Sequence, residues 1–120
     1  MSDDRLPTEL WLDAHFRTMT AKGMFYYVLH KGAYASGMVM VKINGLDGMC
    51  RLLQQQREYD FDTGEAGEVG WMNVFDAETA PEGEADSYIK RAVERDPDLW
   101  VVEVENREFE NPFDGKMIRI

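Results

Sequence analysis

Residues 36–55 read SGMVMVKINGLDGMCRLLQQ, and this stretch decides the fold class. From Ser36 to Asn44, Val39, Val41 and Ile43 alternate with Met38, Met40 and Lys42, the period of two that a strand requires. Asn44-Gly45 and Asp47-Gly48 are strong turn pairs, and Met49 to Gln55 returns as the next strand, with Gln54-Gln55-Gln56 at its solvated end. Upstream, Met24 to Lys31 is rich in aromatic and β-favouring residues and stops near Gly32, so these segments predict a three-strand meander.

Helical signals flank the meander. Pro7 suits a first turn, Leu12, Phe16 and Met19 form a stripe that Trp11 widens, and Gly23 supplies a stop, which predicts a helix from about Pro7 to Lys22. Arg57 to Glu68 reads as an exposed loop and Val69 to Phe75 as a fourth strand. Thr79-Ala80-Pro81-Glu82 matches a capping box, and Ala85, Tyr88, Ile89, Ala92 and Val93 make the apolar face of a second helix whose acids lead and whose bases trail. Asp96-Pro97-Asp98 ends it, and Leu99 to Glu105 forms a further strand with Trp100, Val102 and Val104 on one side. The tail over residues 106–120 carries no clear pattern, and no repeat, low-complexity tract or linker interrupts the chain. The prediction is one α+β domain over residues 1–120, an antiparallel sheet of about five strands with two helices on one face, in the order α-β-β-β-β-α-β.

That layout leaves apolar surface over. Met24, Tyr26 and Val28 alternate with Phe25, Tyr27 and Leu29, and Met38 and Met40 oppose Val39 and Val41, so both faces of the early strands are apolar while two helices cover only one. A bare apolar patch of more than a few hundred Å² is unusual on a monomer, so the second face calls for a lid: the Phe109 to Ile120 tail, a second copy, or another protein.

Composition narrows the possible activities. Among the 120 residues, 23 acids against 13 bases give a formal charge of −10, and 44% of residues are hydrophobic, enough to build a core. Ten of the acids fall between Glu58 and Asp86 with no Lys or Arg among them, which leaves 13 acids and all 13 bases in the rest of the chain. Such a band repels phosphate, so nucleic acid and anionic lipid are not expected partners. Met1-Ser2-Asp3-Asp4 opens no export signal, and no apolar run approaches the ~20 residues that span a bilayer, so a soluble cytoplasmic protein is expected, with no membrane partner. The single cysteine, Cys50, fits a reducing compartment and reads as a buried structural thiol.

Chemical motifs are sparse. Asp60-Phe61-Asp62-Thr63-Gly64 begins like a calcium loop, but Gly64, Glu65 and Trp71 stand where further ligands and the turn glycine belong. Gly64, Gly67 and Gly70 recur without the Lys-Ser/Thr of a phosphate loop. His15, His30 and Cys50 lack metal-ligand spacing, and in a meander His30 and Cys50 sit about 9 to 10 Å apart on non-adjacent strands, too far for a catalytic pair. Glu103 and Glu105 share a strand face and read as its solvent side. No cofactor, metal or catalytic set is assigned.

The stretch Glu9-Leu10-Trp11-Leu12 with Ala14 and Arg17, then Lys31-Gly32 with Gly37 and the strand to Lys42, then Leu46-Asp47-Gly48, and above all the block from Asp96-Pro97-Asp98-Leu99-Trp100 to Asn106-Arg107, resembles the bacterial family called domain of unknown function 1491. The resemblance spans nearly the whole chain and implies a short, single-domain alphaproteobacterial protein. It brings no activity, cofactor or catalytic residue. Ala33, where the resemblance implies an acid, and the tail with Asn111-Pro112-Phe113-Asp114-Gly115 depart from the pattern.

The leading expectation is therefore a non-enzymatic protein-interaction domain that self-associates or binds a protein through the sheet, with Tyr26, Met38, Met40, Trp71 and Trp100 as interface residues. The alternative is a small hydrolase or transferase in which Asp47, Glu103 or Glu105 works with His30, and this requires them to converge in a pocket. A third is that the Glu58 to Asp86 band docks a basic partner or mimics nucleic acid.

Overall fold

The structure, a computed structural model, describes residues 6–59 and 66–118. Its elements run α1 (Thr8–Ala21), β1 (Tyr26–His30), β2 (Val39–Asn44), β3 (Met49–Tyr59), β4 (Ala66–Asn73), β5 (Ala80–Pro81), α2 (Glu82–Arg95), β6 (Trp100–Glu105) and β7 (Lys116–Met117). The α+β class stands, but the sheet is mixed and has seven strands among the described residues, not about five antiparallel ones. Its order is β1-β6-β2-β3-β4-β7, with β5 beside β3. β2 runs parallel to β6, and β4 parallel to β7.

The expected meander fails at its first step. β6 lies between β1 and β2, pairing antiparallel with Tyr26–His30 on one side and parallel with Val39–Asn44 on the other. A run buried on both faces is what a central strand needs, and Trp100, Val101, Val102 and Val104 supply it. The β2–β3 hairpin does form, with Asn44 opposite Cys50 across the Gly45–Gly48 turn. The expected loop from Arg57 to Glu68 is strand at both ends, since β3 runs on to Tyr59 and β4 begins at Ala66. Asp60 to Glu65, and with them the calcium-like motif, lie outside the described residues.

The two helices occupy opposite faces, which corrects the one-faced arrangement and removes most of the surplus apolar surface. Leu12, Phe16 and Met19 of α1 pack on Val39, Val41, Ile43, Leu53, Trp71, Trp100, Val102 and Val104, and Phe113 of the tail closes the same layer. Ile89 and Ala92 of α2 pack on Met40, Leu52, Leu99 and Val101. Strand alternation makes this possible: odd positions of β2 face α1, and Met40 faces α2.

Local chemistry sets the helix ends. Pro7 precedes α1, and the freed Thr8 and Glu9 amides donate to the carbonyls of Ala35 and Tyr34 at 3.2 and 3.0 Å. The capping box at α2 does not form: Pro81 is the cap residue, no side chain caps the helix, and Ala80-Pro81 is spent pairing with Met49 and Cys50 of β3. The Lys31–Gly37 loop wraps Trp100, whose Nε1 donates to the Ala33 carbonyl at 2.8 Å. Gly32 and Gly37 are required there, because a Cβ at either would run into the Asp98 carbonyl oxygen and the Trp100 ring.

The tail is strapped down by polar contacts. Trp71 Nε1 donates to the Asp114 carbonyl at 2.9 Å, Arg51 to the Phe109 carbonyl at 3.1 Å, and His15 Nε2 lies 3.2 Å from the Asp114 carboxylate.

Candidate functional site

Two features of the fold stand apart from its packed core: a buried ammonium group under α2, and an uncovered strand at one end of the sheet. Lys42, in the middle of β2, is only 3% exposed. Its Nζ donates to Glu82 and Asp86 at 2.7 Å each and forms an ion pair with Glu103 at 3.3 Å. Asn44, two residues on, donates to Glu82 and Glu103 at 3.3 and 3.1 Å. Burial pulls the Lys42 pKa down, but hydrogen bonds to Asp86 and Glu82 and the Glu103 charge outweigh it and hold the ammonium above its ordinary range. A lysine so held keeps its proton at neutral pH and offers neither a base nor a free amine nucleophile. The cluster clamps α2 to the sheet.

Cys50 is buried, and that burial pushes its thiol up to about 11 despite the nearby Lys42 charge, so it carries no nucleophilic thiolate at neutral pH. His30 is three strands away from it, roughly 14 Å at the usual spacing and farther than the 9 to 10 Å expected of a meander. His30 Nδ1 is 2.7 Å from the Leu99 carbonyl.

The expected acid–histidine set does not converge. His30 pairs with Val101, so Glu103 and Glu105 are two and four residues further along β6, about 7 and 13 Å away in the strand direction. Glu103 is engaged with Lys42 and Asn44, and β6 is an interior strand on which Glu103 and Glu105 are half-buried. Asp47 accepts the Met49 amide within the hairpin turn at 3.0 Å. Among the described residues, no group of three His, Cys, Asp or Glu side chains is arranged to hold a metal ion. The acidic band is partly consumed inside the molecule: Glu82 and Asp86 hold Lys42, and Glu78 meets Arg51 at 3.5 Å.

Of the five expected interface residues, Met40, Trp71 and Trp100 are buried core, and Tyr26 and Met38 are half-buried. Trp71 and Trp100 lie under α1 and the tail, and Met40 lies under α2, so the expected interface at the centre of the sheet is closed by the chain itself.

The longest run of exposed large apolar residues lies instead at β1. Phe25 is 66% exposed, and Tyr27, Val28 and Leu29 are 49, 44 and 46% exposed. Among the described residues β1 pairs only with β6, and so forms an open edge. Edge strands are ordinarily blunted by charge, proline or a covering segment. The opposite end of the sheet has such protection, because β7 with Lys116 lies along β4. Tyr26 to Leu29 contains no charge and no proline, and only a bulge between Val28 and His30 interrupts the edge. Beside it a shallow cavity of about 450 Å³ opens between α1 and β1, bordered by Asp13, Phe16, Arg17, Thr20 and Tyr26. The Tyr26 ring stacks on Phe16 at 4.0 Å. The clue in the sequence is the run Met24 to Leu29, apolar on both alternations and free of charge, as an unhelped edge would be.

Among the described residues no helix is long and apolar enough to cross a membrane. The family model for proteins of unknown function, DUF1491, matches residues 6–114. The crystal structure of a DUF1491 protein from Caulobacter crescentus is similar, with 30% identity and a TM-score of 0.75, over 95% of this chain and 98% of that one. A solution structure of a protein from A. tumefaciens shares 28% identity at a TM-score of 0.66, covering 85% of this chain and 86% of the other. No curated protein matches.

Proposed function

The chain belongs to the DUF1491 family of proteins of unknown function, and from its own geometry we propose that it is a protein-recognition domain whose binding surface is the open edge of β1. One observation carries this: three consecutive residues, Tyr27, Val28 and Leu29, are exposed on an edge strand in a sheet whose β2 and β6 are almost wholly buried. The free amides and carbonyls along such a strand accept an added strand, and alternate side chains of the newcomer find pockets on either face. The cavity beside Phe16 and Tyr26 is one such pocket on the α1 side. The lone buried thiol of Cys50 supports a reducing, cytoplasmic setting.

A photo-crosslinking amino acid placed at Phe25 in cells tests the proposal, with the same probe at Leu46, an exposed apolar turn residue, as control. A discrete protein adduct at position 25 and none at 46 is expected. Equal, diffuse labelling at both positions would sink it.

A further inference from the structure

A chain of formal charge −10 meets a second copy of itself against repulsion almost everywhere. The stretch from Met24 to Gly32 is different, with no acidic residue and only His30 and Lys31 as polar side chains of basic type. Lys31 is already engaged by Glu9 at 3.2 Å. A basic foreign strand would find no carboxylate on β1 to pair with, whereas an uncharged apolar strand meets no cost there. β1 is itself such a strand.

Resting on the recognition reading above, we propose that the occupant of the β1 edge is β1 of a second copy, antiparallel across a twofold axis that passes by Tyr27. The bulge chooses this register. Residues Tyr26 to Val28 pair one-for-one with β6, and regularity is lost between Val28 and His30, so a symmetric pairing uses the regular segment and centres on its middle residue. Tyr27 then faces Tyr27 of the second copy and Tyr26 faces Val28, while Phe25 and the bulged Leu29 meet at the two ends of the regular segment. Each is an aromatic or aromatic–aliphatic cross-strand pair, and no like charges are opposed. Tyr26 and Val28 pair with Val104 and Val102, which pack under α1, so Val28 of the second copy arrives beside the Phe16–Tyr26 cavity. The contact is isologous and closes at two copies, joining two sheets into one.

Size sets the strength. The four exposed side chains of each copy, on the order of 100 Å² apiece, give ~800 Å² in all, which the paired backbones raise toward the ~1,200 Å² lower bound of specific interfaces. An interface of that size belongs to the weak, reversible class, and a micromolar dissociation constant is the value the titration below tests.

Sedimentation of the full chain from about 1 to 300 μM is expected to pass from monomer to dimer across that range. Tyr27→Lys alone and Tyr27→Glu alone each oppose like charges at the axis and should weaken association roughly tenfold or more, while an equal mixture of the two should restore it. As a second measurement, Tyr27→Cys on a Cys50→Ala background should give a covalent dimer on mild oxidation, and Leu46→Cys on that background should not. A monomer at every concentration, with a discrete Phe25 adduct to a different protein, overturns self-pairing and leaves the recognition reading standing. A monomer with no adduct removes both. A dimer indifferent to both Tyr27 charge variants and not trapped through Tyr27→Cys overturns the proposed register and interface.

Discussion

The Lys42 ammonium lies 2.7 Å from the Asp86 carboxylate, and this contact, with its neighbour to Glu82, ties the first turns of α2 to the buried middle of the sheet. Replacing Lys42 with Met leaves Glu103, only 15% exposed at its side chain, without its cation. Glu82 and Asp86 are more exposed and are relieved by water, so the loss falls short of that for a fully buried pair. Urea unfolding of Lys42→Met should show a destabilisation of about 2 kcal/mol. An unchanged midpoint would mean that the clamp contributes nothing net.

Cys50 gives the molecule an alkaline weakness. Its thiol rises from an ordinary value near 9 to about 11 in the folded chain, so between those values the unfolded state sheds a proton that the folded state keeps. Unfolding is thereby favoured, and stability falls as pH climbs from about 9 to 11. Lys42 joins the decline only at the upper end of this window, because its folded-state pKa is raised above an ordinary value of 10.5 and the unfolded chain sheds that proton only from there upward. Denaturation at successive pH values should show a smaller fall for Cys50→Ala than for the parent. Parallel curves would refute the assignment.

Gly37 admits no side chain. A Cβ there meets the Asp98 carbonyl, which accepts the Ala33 amide at 2.9 Å, and the ring of the buried Trp100. Gly37→Ala should cost about 2 to 4 kcal/mol and disturb the near-ultraviolet signal of Trp100. Gly83→Ala is the control, since nothing lies within 4 Å of a Cβ at that position and alanine favours the helix.

Phe113 plugs the α1 layer, 4% exposed and facing the rings of Trp11, Phe16 and Trp71. Phe113→Ala should cost about 3 kcal/mol or more and bring measurable binding of a hydrophobic dye. Full stability in that variant would show that α1 seals the face unaided.

Much of the secondary structure was legible because it rests on local signals. The alternation of Val39, Val41 and Ile43, the Asn44–Gly48 turns, the α1 stripe and the Ala85–Ile89–Ala92 face all lie where their periodicity placed them. The sheet order was not, because no local signal reports that Trp100–Glu105 inserts between two strands some sixty residues upstream. That error carried others with it. Without β6 in the interior of the sheet nothing sends α2 across the far face, and Met40, Trp71 and Trp100 read as surface although the structure buries them. The excess of apolar residues was real, and it resides in Phe25 and Tyr27–Leu29, at the edge rather than on the sheet's broad side. The acid–histidine alternative failed for the same reason, since which carboxylates meet which cation is fixed by register alone.

The insertion of β6 between β1 and β2 also fixes when this molecule is able to fold. Neither earlier strand pairs with the other, so β1 stays unjoined to the rest of the sheet until Glu105 has been synthesised and has left the ribosome. Nascent chains shorter than that can pair β2, β3, β4 and β5 with one another but leave β1 an orphan aromatic strand, which makes completion of the fold a late, high-contact-order event and leaves Phe25 to Leu29 in need of shelter during translation.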